Sequence, residues 1–101
     1  MEVVALSRAL DVCFERMGFF GLSLWGEDGL TFDQTCRLAR LPNLRVQVSS
    51  VRRLRALGLD PYRRGRSPHL TIRFATRPRK TELLALIGAF GPPIPNPYPA
   101  D

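Results

Sequence analysis

The sequence predicts a small α/β fold, with helices and strands alternating in the order α-β-α-β-α-β-α as a three-stranded sheet covered by helices, then a Pro-rich C-terminal tail. Apolar residues switch repeatedly between helical and alternating spacing, and Gly or Pro marks nearly every switch. The 18 residues from Ser50 to Ser67, between the second and third strands, are long enough for a crossover, so at least partly parallel pairing is expected. At 101 residues and 45% apolar content the chain fits one domain over 1–91, with the tail at 92–101.

Val3, Leu6, Leu10, Cys13, Phe14 and Met17 repeat every three or four residues, an amphipathic helix stopped by Gly18. Phe19, Phe20, Leu22, Leu24 and Trp25 form a short, largely apolar strand, and the turn from Gly26 to Gly29 follows. Thr31 and Gln34 fit a capping box, with Asp33 in the first turn; Pro42 keeps that helix from passing Leu41. Leu44, Val46 and Val48 alternate with Arg45 and Gln47, which predicts a half-buried strand. Ser49 or Ser50 caps a third helix with Val51, Leu54 and Leu57 on its apolar side and Gly58 at its end. Residues 60–67 read as a loop. Leu70, Ile72 and Phe74 alternate with Thr71 and Arg73 as the last strand, and Leu83, Leu84, Leu86, Ile87 and Phe90 mark the last helix. The five prolines from Pro92 to Pro99 make the tail extended; folding back over the domain, anchored by Ile94 and Tyr98, is preferred to docking in another protein's groove.

Charge is the most informative feature for function. Thirteen of the fifteen basic residues lie between Arg37 and Lys80, where Asp60 is the one acid, so a net +6 conceals a segment of +12. Residues 1–36 carry −4 and residues 81–101 carry −2. A clustered positive field attracts polyanions. Fourteen of the fifteen basic residues are arginine, whose planar fork grips phosphate bidentately and stacks on bases. GC-rich coding also explains a preference for arginine over lysine, but not the clustering.

The candidate nucleic-acid-binding residues are Arg45, then Arg52, Arg53 and Arg55 on the third helix, then Tyr62, Arg63, Arg64 and Arg66 in the loop after it. The arginines would track phosphates and Tyr62 would stack on an exposed base. No helix-turn-helix, KH, ribonucleoprotein or zinc-knuckle pattern is present, and RNA is slightly preferred to DNA on the grounds of an α/β platform with a mobile basic loop. The expected function is a small basic nucleic-acid-binding protein. The alternative is an accessory subunit whose basic face binds an acidic protein, in a homo-oligomer or hetero-complex.

Evidence for catalysis is thinner. His69, the sole histidine, lies in a His-Leu-Thr sequence similar to half the signature of two-histidine phosphoesterases, and the second histidine those enzymes need is missing. In size and basicity the chain is similar to small toxin endoribonucleases, which use Arg, Lys and Tyr around the scissile phosphate. A second alternative is therefore a toxin-like endoribonuclease acting through Tyr62, Arg63, Arg66 and His69, with Tyr62 and His69 as its catalytic candidates.

Cys13 and Cys36 match no disulfide framework or zinc spacing. Gly18, Gly21, Gly26 and Gly29 match no phosphate-loop pattern, and Glu27, Asp28 and Asp33 lack calcium-loop spacing, so no cofactor or metal is expected. No apolar run approaches the roughly 18 to 20 residues of a membrane span. No leader pattern is recognisable either, and a cytoplasmic location is the expectation.

Overall fold

Leu6 and Leu10 place an apolar stripe on the first helix, α1 (Val3–Met17), and Leu10 is buried in the core. Gly18 ends α1 in the left-handed region at φ 78°, and its N–H donates to the Phe14 carbonyl at 2.9 Å. The chain then reverses into β1 (Phe20–Trp25), where the Phe20 ring stacks on Phe14 with centroids 4.5 Å apart. The computed structural model describes residues 1–27, 29–63 and 69–100.

The remaining elements are α2 (Phe32–Ala39), β2 (Arg45–Val46), α3 (Val51–Ala56), β3 (Tyr62–Arg63), β4 (His69–Phe74), α4 (Lys80–Gly88) and β5 (Ile94–Pro95). They make a compact α/β fold with four helices and a three-stranded antiparallel sheet in the order β1-β4-β3. The Cα radius of gyration, 13.3 Å, is close to the ~13 Å of a globular chain this long.

The expected parallel pairing does not occur. The described strands pair antiparallel throughout, so the stretch before β4 acts as no crossover between parallel neighbours. The expected second strand also stays out of the main sheet: only Arg45 and Val46 pair, and they pair with Pro95 and Ile94 of β5. The third strand instead comes from Tyr62 and Arg63, which the sequence reading assigned to a loop. Two short strands, β3 and β5, are thus added to the expected order.

Alternation along β1 and β4 divides the sheet into two unlike faces. Phe20, Leu22 and Leu24 pair with Phe74, Ile72 and Leu70. Leu22, Ile72 and Phe74 join Leu10, Leu54, Leu83 and Leu86 in the buried core, with Leu24 and Phe20 packed against it. Helices α1 and α4 thus lie on this apolar face. The expected sheet covered by helices is covered there, while Ser23, Trp25, Tyr62 and Arg73 on the opposite side are exposed.

Local signals set the helix starts. Thr31 accepts from the Gln34 N–H at 3.1 Å while the Gln34 side chain accepts from the Thr31 N–H at 2.9 Å, a capping box that opens α2. Ser50 accepts from the Arg53 N–H at 3.1 Å and opens α3. After α3 the Leu59 N–H donates to the Leu54 carbonyl at 3.0 Å, with Gly58 at φ 78°, which turns the chain toward β3.

Residues 91–100 hydrogen-bond to residues 41–48. Backbone donors Gly91, Asn96 and Ala100 reach the carbonyls of Val48, Leu44 and Leu41 at 2.8–2.9 Å. Asn96 is the buried centre of this contact. Its amide nitrogen donates to the Asn43 and Leu41 carbonyls at 2.9 and 3.3 Å, and its side-chain oxygen accepts from the Tyr98 N–H at 2.9 Å. Of the two expected anchors, Ile94 is half-buried and Tyr98 is exposed, with the Arg37 guanidinium 5.8 Å from its ring centroid.

Two outcomes follow from this packing. Ile72 is 0% exposed, so Ile72→Ala should lower the unfolding free energy by about 2–5 kcal/mol in a denaturant titration. Asn96→Ala should speed hydrogen exchange at the Gly91 and Ala100 amides while the β1–β4 amides stay protected; equal loss of protection in both places would show that the tail is not a separate unit.

Candidate functional site

The face of the sheet opposite the core is built from three cross-strand rows. Gly21 pairs with Arg73, Ser23 with Thr71, and Trp25 with His69; Tyr62 of β3 then pairs with Thr71 from the other side. Side chains at directly paired positions stand about 4.5–5.5 Å apart at Cβ, and diagonal neighbours about 7–8 Å. Tyr62 and His69 are therefore diagonal neighbours on one face, and Trp25 stands beside His69.

Aromatic and polar side chains fill these rows. The Trp25 ring meets the His69 imidazole with centroids 5.1 Å apart and planes tilted by 52°. At the other end Phe19 lies over the backbone of Gly21, where a Cβ would come within 2.7 Å of the ring, so the absence of a side chain there admits the ring. The Arg73 guanidinium sits 4.7 Å from the Phe19 ring centroid. Thr71 is buried between the rows, whereas Trp25 and Tyr62 remain 40% and 38% exposed. None of the three strands contains an acidic residue.

The basic residues clustered in sequence are spread over several elements. Arg55 pairs with Asp60 at 2.9 Å, Arg77 with Asp11 at 2.6 Å, and Arg79 with Glu82 at 3.3 Å. These exposed pairs contribute little to stability but reduce the positive field around each arginine. Arg37 and Arg40 line a small cleft with Tyr98, Pro99 and Ala100. Arg45 lies on β2, in the separate two-stranded sheet. Arg52 and Arg53 are exposed on α3 and form no ion pair among the described residues.

Of the expected binding residues, then, Arg52, Arg53 and Arg55 share α3 and Tyr62 and Arg63 share β3, the next element in the chain. Arg64 and Arg66 lie outside the described residues. Tyr62 and Arg63 project to opposite faces, since Tyr62 is in register with Thr71 and Arg63 with Leu70. Of the endoribonuclease set, the register therefore brings Tyr62 and His69 together and separates Arg63 from them.

Trp25, Phe19, Ser23 and Arg73 belong to this face and were not anticipated as site residues. The signal was present as alternation: Ser23 and Trp25 interleave with Leu22 and Leu24, and Thr71 and Arg73 interleave with Leu70, Ile72 and Phe74.

A larger cleft of about 1240 Å³ runs beside α1, β1 and α2; Leu6, Leu24 and Cys36 line it, and so do Trp25, Glu27 and His69. Burial pushes the Cys36 thiol pKa up, and the nearby charges of Asp33 and Glu27 push it further. Cys36 therefore keeps its proton and is a poor nucleophile. Among the described residues, no group of three or more His, Cys, Asp or Glu side chains is placed to hold a metal ion, and no helix is long and apolar enough to cross a membrane.

No protein-family model, curated protein or solved structure matches this chain.

Proposed function

We propose that this chain is a small basic nucleic-acid-binding protein that holds phosphates through the exposed arginines of α3, with RNA preferred to DNA. The observation that carries the reading is the pairing state of the arginines. Arg55, Arg77 and Arg79 are each engaged by a carboxylate, whereas Arg52 and Arg53 are exposed with no acidic partner among the described residues. They also stand one short connection before an acid-free sheet. A guanidinium without a carboxylate offers its donors to phosphate oxygens, and displacing the phosphate's condensed counterions then favours binding.

Such binding depends on salt in a defined way, because each phosphate contact adds about 0.7 to the log–log slope for a single strand and about 0.9 for a duplex. Anisotropy titrations of a labelled RNA oligonucleotide, between about 50 and about 200 mM salt, should give affinity that falls steeply with salt and grows with strand length. The double variant Arg52→Ala/Arg53→Ala should bind more weakly and lose about 1.4 from that slope, two contacts' worth for a single strand. A slope unchanged in the double variant would overturn the assignment to α3. Absence of nucleic-acid binding, with capture of an acidic protein at fixed stoichiometry, would favour the accessory-subunit alternative.

A further inference from the structure

We propose that the open face of the sheet is a stacking platform for single-stranded nucleic acid, with bases lying on Trp25 and Tyr62 and backbone phosphates held by Arg73. The inference rests on the nucleic-acid reading above and adds to it which form of nucleic acid is bound and where.

Charge complementarity selects the occupant. Arg73 projects to this face and none of the three strands carries a carboxylate, so the strands themselves set no like charge against an anionic ligand. Trp25 and Tyr62 are 40% and 38% exposed on this face, which leaves part of each ring free for a flat ligand to cover. Bases supply that cover, because every base has an apolar π-face and stacking tolerates any sequence. An acidic peptide satisfies the arginine but presents nothing to stack on the rings.

Shape separates single strands from duplexes. A major groove about 12 Å wide admits one helix or a two-stranded ribbon. A third strand, about 4.8 Å further across, with helices packed behind the sheet, does not enter it. Rings set flush on a sheet also cannot reach base faces that are already stacked inside a duplex. The six-residue α3 is about 9 Å long and leads at once toward β3, so it too makes a poor groove reader.

Preorganisation supports the same assignment. Arg73 is held against the Phe19 ring, so less side-chain freedom is lost when its donors meet a phosphate. Trp25 is braced by His69, and Tyr62 stands diagonally across the central strand from that pair. Two exposed rings on opposite outer strands give successive bases separate seats.

The single tryptophan makes the test direct, because fluorescence excited selectively at tryptophan then reports on Trp25 alone. Oligo-U, oligo-dT and a duplex of equal length are titrated into the full chain while binding is followed by anisotropy. Both single strands should quench the tryptophan as they bind, with oligo-U the tighter if RNA is preferred, and the duplex should not. Tyr62→Ala should weaken single-strand binding about tenfold or more and leave any duplex binding unchanged. Tyr62 lies on a two-residue edge strand outside the core, and circular dichroism checks that the variant is folded.

Single-strand binding that depends on Arg52 and Arg53, with fluorescence unmoved and Tyr62→Ala neutral, would overturn the platform and leave the phosphate-binding reading in place. Failure of every nucleic acid to bind at low salt would overturn both. Quenching by polyglutamate at matched charge would replace the stacking ligand with an acidic polypeptide.

Discussion

The antiparallel pairing of β1 with β4 is the constraint from which the rest of the molecule follows. Six cross-strand pairs, from Phe20 with Phe74 to Trp25 with His69, set which side chains face the helices and which do not. A slip of one residue along either strand would turn Ser23, Thr71 or Arg73 into the core and expose Leu22 or Ile72. The hydrophobic effect therefore enforces the register, at about 1.5–3 kcal/mol for each fully buried aliphatic side chain. That register in turn builds the outer face: what pulls Ile72 inward also holds Trp25, His69 and Thr71 outward.

Dependence on this one pairing explains which parts of the fold were legible. Period and caps were enough for the four helices and for the two long strands, because Leu10, Gly18, Thr31 and Gly58 act through neighbours close in sequence. Partner choice was not legible. Leu44, Val46 and Val48 alternate as clearly as Leu70, Ile72 and Phe74, yet only Arg45 and Val46 pair, with β5. Alternation reports that a strand has two unlike faces; it carries no information on which strand lies beside it. β3 was hidden for a different reason. It has two residues, follows Pro61 and lies in a stretch with the composition of a loop, so its pairing with β4 is a tertiary effect.

The site was legible in part for the same reason. Tyr62 and His69 stood out chemically, but their place on one face depends on β3 pairing with β4. Trp25 was grouped with the apolar residues around it, although alternation along β1 puts it on the side away from Leu22 and Leu24; what the register adds is its place beside His69. The charge cluster was legible only as a segment of sequence. Folding sets Asp60, Asp11 and Glu82 beside Arg55, Arg77 and Arg79 and places Arg45 on another sheet, so proximity along the chain does not fix how much of the positive field stays unpaired. Net charge by segment measures potential partners only after the folded chain's own carboxylates have been assigned.

What remains after that assignment is the outer face of the sheet. A short chain has little core, and Trp and Tyr are the side chains that would add most apolar burial to it. Here Trp25 and Tyr62 stay on the outer face, while leucines, Ile72 and Phe74 form the core. Threonine or lysine at these positions would suit a solvent-facing strand, and an edge such as β3 is better protected from unwanted pairing by charge than by an aromatic ring. Placing large rings where they add least to stability, on strands free of carboxylates, departs from what the fold requires. Departures of this kind concentrate where a protein meets its ligand.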